Sequence, residues 1–197
     1  LAQLITRFYE PSTGQIRFNG MDLQDYQIQS LRQSVSLVQQ DTFLFTSSIE
    51  NNVLYGEPWA EEEKVIVAAS RAQLHEHIDQ LPSRYQTLIG ERGLALSGGQ
   101  RQRLNISRTL ILDAKILIFD DSTSSIDVAT EQKIRERLKE VASERITLII
   151  SHRLASLMHA DQIVYLENGR IVERGNHDDM MHLDGHYARL YRLQTSF

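Results

Sequence analysis

Four consecutive large apolar residues, Ile116-Leu117-Ile118-Phe119, run straight into two aspartates, Asp120-Asp121. A short apolar run bounded by polar residues fits a strand covered on both faces, as in the middle of a parallel sheet. Residues 128–142 then have the spacing of an amphipathic helix, with Ile134, Leu138 and Val141 facing inward. A second apolar run, Ile146–Ile150, predicts another buried strand and ends in Ser151-His152. Strand, helix, strand of this kind predicts an α/β core built on a parallel sheet. Ligands of such sheets bind beyond the carboxyl ends of the strands. Asp120-Asp121 and Ser151-His152 are therefore the first candidates for chemistry.

The flanking segments are consistent with this core. Leu1, Leu4, Ile5 and Phe8 lie at helical spacing and predict one apolar helix face. Residues 15–18 alternate as a half-buried strand does, and Asn19-Gly20 closes a turn. A helix-like stretch at 27–33 precedes a short strand marked by Val35, Leu37 and Val38. From Asp41 to about Leu112 the pattern is mostly helical, with candidate helices at 47–54, 60–72, 75–81 and 101–112. The last has Leu104, Ile106, Leu110 and Ile111 as its inward positions, and residues 90–99 form a glycine-punctuated loop before it. Residues 163–166 and 170–173 read as a hairpin about Asn168-Gly169, and the C-terminal stretch is helical and polar. The helical middle looks like an insertion into the α/β core.

Composition removes several function classes. The 197 residues suit one domain, or one domain with a small subdomain. Acidic residues outnumber basic ones, 26 to 21, for a net charge of -5, so nothing resembles a polybasic surface for nucleic acid or lipid. The absence of cysteine excludes disulfides, thiolate metal sites and cysteine nucleophiles. No apolar run approaches the roughly 18 residues that span a bilayer, so any membrane is reached through something outside this sequence.

Paired carboxylates at a strand end cost free energy unless a cation or hydrogen bonds satisfy them, and magnesium is the natural cation for aspartate there. The plainer alternative is that Asp121 caps the next turn through Ser122 and Thr123. Leu96-Ser97-Gly98-Gly99-Gln100 supplies a second signal. Its glycines allow close backbone approach, and a helix start offers unpaired N–H groups to an anion. A simple helix-start loop is the plainer alternative here too. Weaker features are expected to be structural. His177, His182 and His186 lie with Asp178 and Asp179 on a solvated C-terminal stretch, where His182 and His186 would share a helix face. His75 and His77 are two apart and would point different ways. Trp59 is expected to pack, and Arg101 and Arg103 to form helix-surface ion pairs.

Taken together, these strings resemble the nucleotide-binding domain of an ATP-binding-cassette (ABC) transporter of the exporter type. Ser97-Gly98-Gly99-Gln100, with Leu96, resembles the family's signature motif; 116–120 resembles its Walker B strand and 124–127 its D-loop. Ser151-His152-Arg153 is similar to the switch-histidine segment, Gln40 to the Q-loop glutamine, and Gly90-Glu91-Arg92-Gly93 to a loop facing the membrane domains. The resemblance implies a P-loop NTPase (RecA-like) core, at 1–40 and 113–197, with an inserted helical subdomain at 41–112. It also implies ATP and Mg²⁺ as ligands. By resemblance, Asp120 and Gln40 would hold magnesium, Asp121 would orient the attacking water, and His152 would contact the γ-phosphate. Ser97, Gly98 and Gly99 would approach a nucleotide bound to a second such domain, arranged head to tail, with Asp127 bridging the two sites. Transmembrane domains fused upstream would place the chain at the cytoplasmic face of the membrane.

Two departures accompany the resemblance. The phosphate-binding loop G-x-x-x-x-G-K-[ST] has no counterpart, because no glycine is followed by lysine. The helix that follows this loop in the family matches Leu1, Leu4, Ile5 and Phe8, so the sequence is expected to begin just after the loop and the fragment alone to bind ATP poorly. Asp121 stands where most active members carry glutamate. A carboxylate shorter by one methylene predicts slow hydrolysis, a pattern similar to the degenerate subunit of heterodimeric exporters. A regulatory cassette that does not hydrolyse ATP and a soluble ABC ATPase without transport are the rival readings.

Overall fold

In a computed structural model of the chain, residues 1–90, 94–122, 125–141 and 145–196 are described. They fall into two compact units, Leu1–Leu148 and Ile149–Phe197, each considered by itself.

The first unit is organised by a sheet of order β3-β4-β5. The central strand β4 is Ile116–Asp120, and its four apolar residues are all buried. β3, Val35–Val38, pairs with it in parallel, Val35 opposite Ile116 and Val38 opposite Phe119. β5, Ile146–Ile150, starts beside β4, with the Ile146 N–H donating to the Lys115 carbonyl at 2.9 Å. It departs from the expected buried strand, since Ile146 is 62% exposed and the rest at most half-buried. Among the described residues β5 is the edge of the sheet.

Ahead of the sheet, α1 is only Ala2–Ile5. Ala2 and Thr6 are its buried contacts, while Leu1 and Phe8 are exposed, so the expected four-residue apolar face does not form. The chain leaves the helix at Arg7, which has φ 51°, before Phe8 can complete the stripe. β1 is Arg17–Phe18, shorter than expected, and pairs antiparallel with β2, Met21–Asp22. Asn19 and Gly20, at φ 49° and 81°, make the turn, which needs two left-handed residues in a row. α2, Ile28–Ser34, leads into β3.

Between β3 and β4 lie α3, Ile49–Leu54, α4, Glu62–Arg71, α5, His75–Asp79, and α6, Gly98–Leu110. Ser48 caps α3 by accepting the Asn51 N–H at 3.1 Å. Buried Asn52 donates to the Phe45 and Ser48 carbonyls and accepts from the Phe45 N–H and from Arg108. Arg108 also donates to the Asn52 and Phe43 carbonyls. A buried amide is stable only when its donors and acceptors are matched, and this network fixes the segment after Gln40 onto α3 and α6. Gly56 lets α3 and α6 approach, because a Cβ there would lie 2.7 Å from the Arg108 carbonyl oxygen. Trp59 does not pack as expected. It is 94% exposed in the loop before α4, outside that helix's apolar face. α7, Val128–Val141, follows β4 with Ile134 buried.

The second unit has its own core of Leu154, Ile163, Met180 and Tyr187. β6, Ile163–Glu167, and β7, Arg170–Gly175, form the expected hairpin, with Asn168 and Gly169 both at positive φ. α8, His177–His182, is opened by a capping box from Asn176 and Asp179. α9, His186–Thr195, is separate from it, so His182 and His186 belong to different helices and share no helix face. Gly185 begins α9 with no side chain to cap it, and the Glu173 carboxylate of β7 does so instead, accepting from the His186 and Tyr187 N–H groups.

Candidate functional site

Asp120 and Asp121 stand at the carboxyl end of β4, both half-buried. Asp121 has φ 43°. Aspartate tolerates this left-handed conformation better than most residues, because its short polar side chain can hydrogen-bond locally. The reversal turns the chain out of the sheet immediately after the last strand residue. Buried Ser122 follows, its hydroxyl without a partner among the described residues. Gln40 lies two residues beyond the end of parallel β3 and is exposed. The ends of β3 and β4 therefore carry an amide and two carboxylates, hard oxygen donors of the type magnesium takes.

The start of α6 is built differently from the expected 101–112, because the helix begins at Gly98 with Ser97 as its N-cap. The Ser97 hydroxyl accepts the Gln100 N–H at 3.2 Å, and the Gln100 side-chain oxygen accepts the Ser97 N–H at 2.8 Å. This reciprocal box takes up the Gln100 side-chain oxygen and backbone N–H. The Gly98 and Gly99 N–H groups, in the first helical turn, have no intrahelical partner. Leu96 is buried beneath the loop, and its carbonyl accepts from Arg101 at 2.6 Å.

The structure brings this helix start together with the loop after β4. A Cβ on Gly99 would lie 3.0 Å from the Ser125 carbonyl oxygen, and one on Gly98 3.4 Å from the Ser125 Cβ. Gln102, buried one turn along α6, accepts the Ser125 N–H at 2.9 Å. Asp127 precedes α7 and accepts the Thr130 N–H at 2.9 Å. Its carboxyl is held below the usual carboxylate value, first by that backbone bond, then by the Thr130 hydroxyl, with a smaller contribution from Arg103. Burial lowers the Arg103 pKa and Asp127 opposes that shift. Arg101 and Arg103 both donate to carbonyls, Arg103 to that of Gln73.

His152 belongs to the second unit, where it is exposed two residues after β5. Gln194 of α9 braces its backbone from both sides, donating to the His152 carbonyl at 2.7 Å and accepting the Leu154 N–H at 2.9 Å. The bonds of Gln102 to Ser125, Gln194 to His152 and His77 to Gln100 were missed by sequence reasoning, since each spans 23 or more residues of chain. Ser124 and the loop residues Glu91, Arg92 and Gly93 lie outside the described residues. His177 bonds Tyr187, His182 bonds the Asp178 carbonyl, and His186 stacks on Tyr165. Among the described residues no three His, Cys, Asp or Glu side chains converge as a metal site.

A parallel sheet with carboxylates at a strand end, and a glycine-rich helix start beside the following loop, defines an α/β domain of the class that binds ligands beyond its strand ends. A family model described as "ABC transporter" matches residues 1–124, and the chain belongs to that family. It is 47% identical over 194 residues to an uncharacterized ABC transporter ATP-binding protein of Bacillus subtilis, covering 98% of this chain and 33% of that one. An ATP-dependent lipid A-core flippase of Legionella pneumophila matches with the same identity and coverage. A putative multidrug export ATP-binding/permease protein of Staphylococcus aureus is 45% identical over 195 residues, 99% of this chain and 34% of that one. The fold superposes on a bacterial Atm1-family ABC exporter with ATP bound at a TM-score of 0.94, with 41% identity over 98% of this chain and 34% of that chain. The chain is thus like the ATP-binding domain of exporters and spans about a third of the length of the curated relatives it matches. None of its described helices is long and apolar enough to cross a membrane.

Proposed function

We propose that this chain is the ATP-binding and ATP-hydrolysing domain that powers export by an ABC transporter, joined to transmembrane domains and working at the cytoplasmic face of the membrane. The observation that carries this is the packing of Gly98 and Gly99 against Ser125, which presents the helix start and the loop to Asp127 as one surface. Such a surface suits a nucleotide bound to a second domain, head to tail, with Ser97 and the two glycine N–H groups aimed at its γ-phosphate. Asp127 then bridges the two sites. Residues 41–112 act as a helical subdomain set into a core of 1–40 and 113–197.

At the chain's own nucleotide, Asp120 and Gln40 would hold magnesium. Magnesium, when bound, neutralises charge on the phosphate oxygens. Asp121 orients the attacking water and His152 contacts the γ-phosphate. Transfer of a γ-phosphoryl group depends mainly on positioning and charge stabilisation, which these polar groups supply. A base must reach within about 2.6–3.2 Å of its proton donor, directly or through one water, and a misplacement of about 1 Å can cost on the order of 10²-fold in rate. Asp121 therefore makes this site slow, and the chain serves chiefly by lending its signature to a partner's site. The same residue favours a second reading, a cassette that regulates its partner without hydrolysing ATP. ATP turnover of the full-length polypeptide with its partner, measured beside Asp121→Glu, tests both. A gain of about tenfold or more supports a degenerate but repairable site, and unchanged turnover rejects the assigned role of Asp121.

A further inference from the structure

We infer that His77 is a positioning residue for the signature loop, acting through Gln100. Ser97 N–H can only donate, so the Gln100 atom facing it at 2.8 Å must be the carbonyl oxygen. The Gln100 amide nitrogen is then the end that faces His77, 3.0 Å from Nε2. An amide nitrogen only donates, so His77 Nε2 must accept, which fixes the neutral ring with its proton on Nδ1. A chain of three bonds thus runs from α5 to the helix cap: Gln100 to His77, Ser97 N–H to Gln100, and Gln100 N–H back to the Ser97 hydroxyl.

The acceptor end of this chain rests on a fixed base. α5 is anchored by Ile78 and the preceding Leu74, both fully buried. Arg103, three residues after Gln100 and on the same helix face, donates to the carbonyl of Gln73 at the other end of the same segment. The first two turns of α6 are therefore gripped at two points by residues 73–77. A glutamine left free at one end would keep rotamers whose freedom must be given up on ordering. His77 removes that freedom before any nucleotide arrives, so the Ser97 cap and the adjacent glycine N–H groups are already set. This rests on the proposal that the signature loop addresses a nucleotide on a second domain.

The test is ATP turnover of the full-length polypeptide with its partner against ATP concentration, with His77→Phe, His77→Gln, Gln100→Ala, the His77→Phe/Gln100→Ala double variant and Gly98→Asp. His77→Phe keeps a ring but removes the acceptor. It should raise the ATP concentration for half-maximal turnover roughly 2- to 10-fold, the range for one lost hydrogen bond. His77→Gln, whose side-chain oxygen can stand where Nε2 stood, should return it to within about 2-fold of the parent. The double variant should be no worse than Gln100→Ala. If His77→Phe does not fold, near-parental His77→Gln beside an impaired Gln100→Ala supports the inference, and equal impairment of these two overturns it. Equal impairment of the Phe and Gln variants would show packing rather than hydrogen bonding and overturn the inference. So would parental behaviour of both alongside loss of turnover in Gly98→Asp. Unchanged turnover in Gly98→Asp, whose Cβ would just contact Ser125 at 3.4 Å, would instead overturn the signature assignment itself.

Discussion

Asp121 shows how conformation and chemistry compete at one position. Its left-handed φ suits aspartate, whereas the lengthening that would bring a carboxylate further out also asks glutamate to adopt that backbone. Asp121→Glu should therefore cost on the order of 1 kcal/mol in stability even where it quickens turnover, and thermal unfolding of the two proteins would register the loss. Tyr85 makes a separate residue-scale prediction. It is 8% exposed, and its hydroxyl lies 2.8 Å from His75 Nδ1. Burial first, then the charges of Asp79 and Glu62, push its pKa up from 10.0 to about 12. The unfolded chain ionises this phenol earlier than the folded one. Its contribution is thus fully present below about pH 10 and is lost as pH rises through about 12. The Tyr187 pKa is also raised, by burial and then by Tyr191, so a spectrophotometric phenolate titration should show late-ionising tyrosines of which one disappears in Tyr85→Phe, and the variant should lose less stability than the parent between those pH values.

At the scale of elements, α6 carries the site. Gln102 accepts the Ser125 N–H from within its buried face. Gln102→Ala leaves that donor unpaired and should cost about 1–3 kcal/mol, seen as faster amide exchange at Ser125. Much of this architecture was legible in the sequence, because burial imposes a pattern on neighbouring residues. β4 could be recognised from four apolar residues in a row, and the α6 interior from Leu104, Ile106, Leu110 and Ile111, all buried. The turns at Asn19-Gly20 and Asn168-Gly169 were equally readable, since few residue pairs accept two left-handed conformations. Contacts made at a distance left no such trace. Neither the bond of His77 to Gln100 nor the approach of Ser125 to Gly99 has a local period. The exposure of Ile146 depends on what lies beside β5, and that is a property of the sheet rather than of the strand.

For the molecule as a whole, the division between Leu148 and Ile149 gives each unit its own buried cluster. Within the second, Glu173 is the tie between β7 and α9, and a side chain on Gly185 would overlap its carboxylate. Glu173→Ala should uncap α9, with a loss of about 1–3 kcal/mol that is confined to that unit. Hydrogen exchange across 149–196 should rise while protection in β3 and β4 is kept. If protection fell equally in both units, they would unfold as one cooperative body. The first unit has an analogous tie with a mechanical meaning. Gly98 and Gly99 at the tip of α6 touch the very loop that Gln102, a turn further along, holds by its backbone. Tip and loop are therefore mounted on a single lever: any swing of that helix carries both, and neither can report on a neighbour independently of the other.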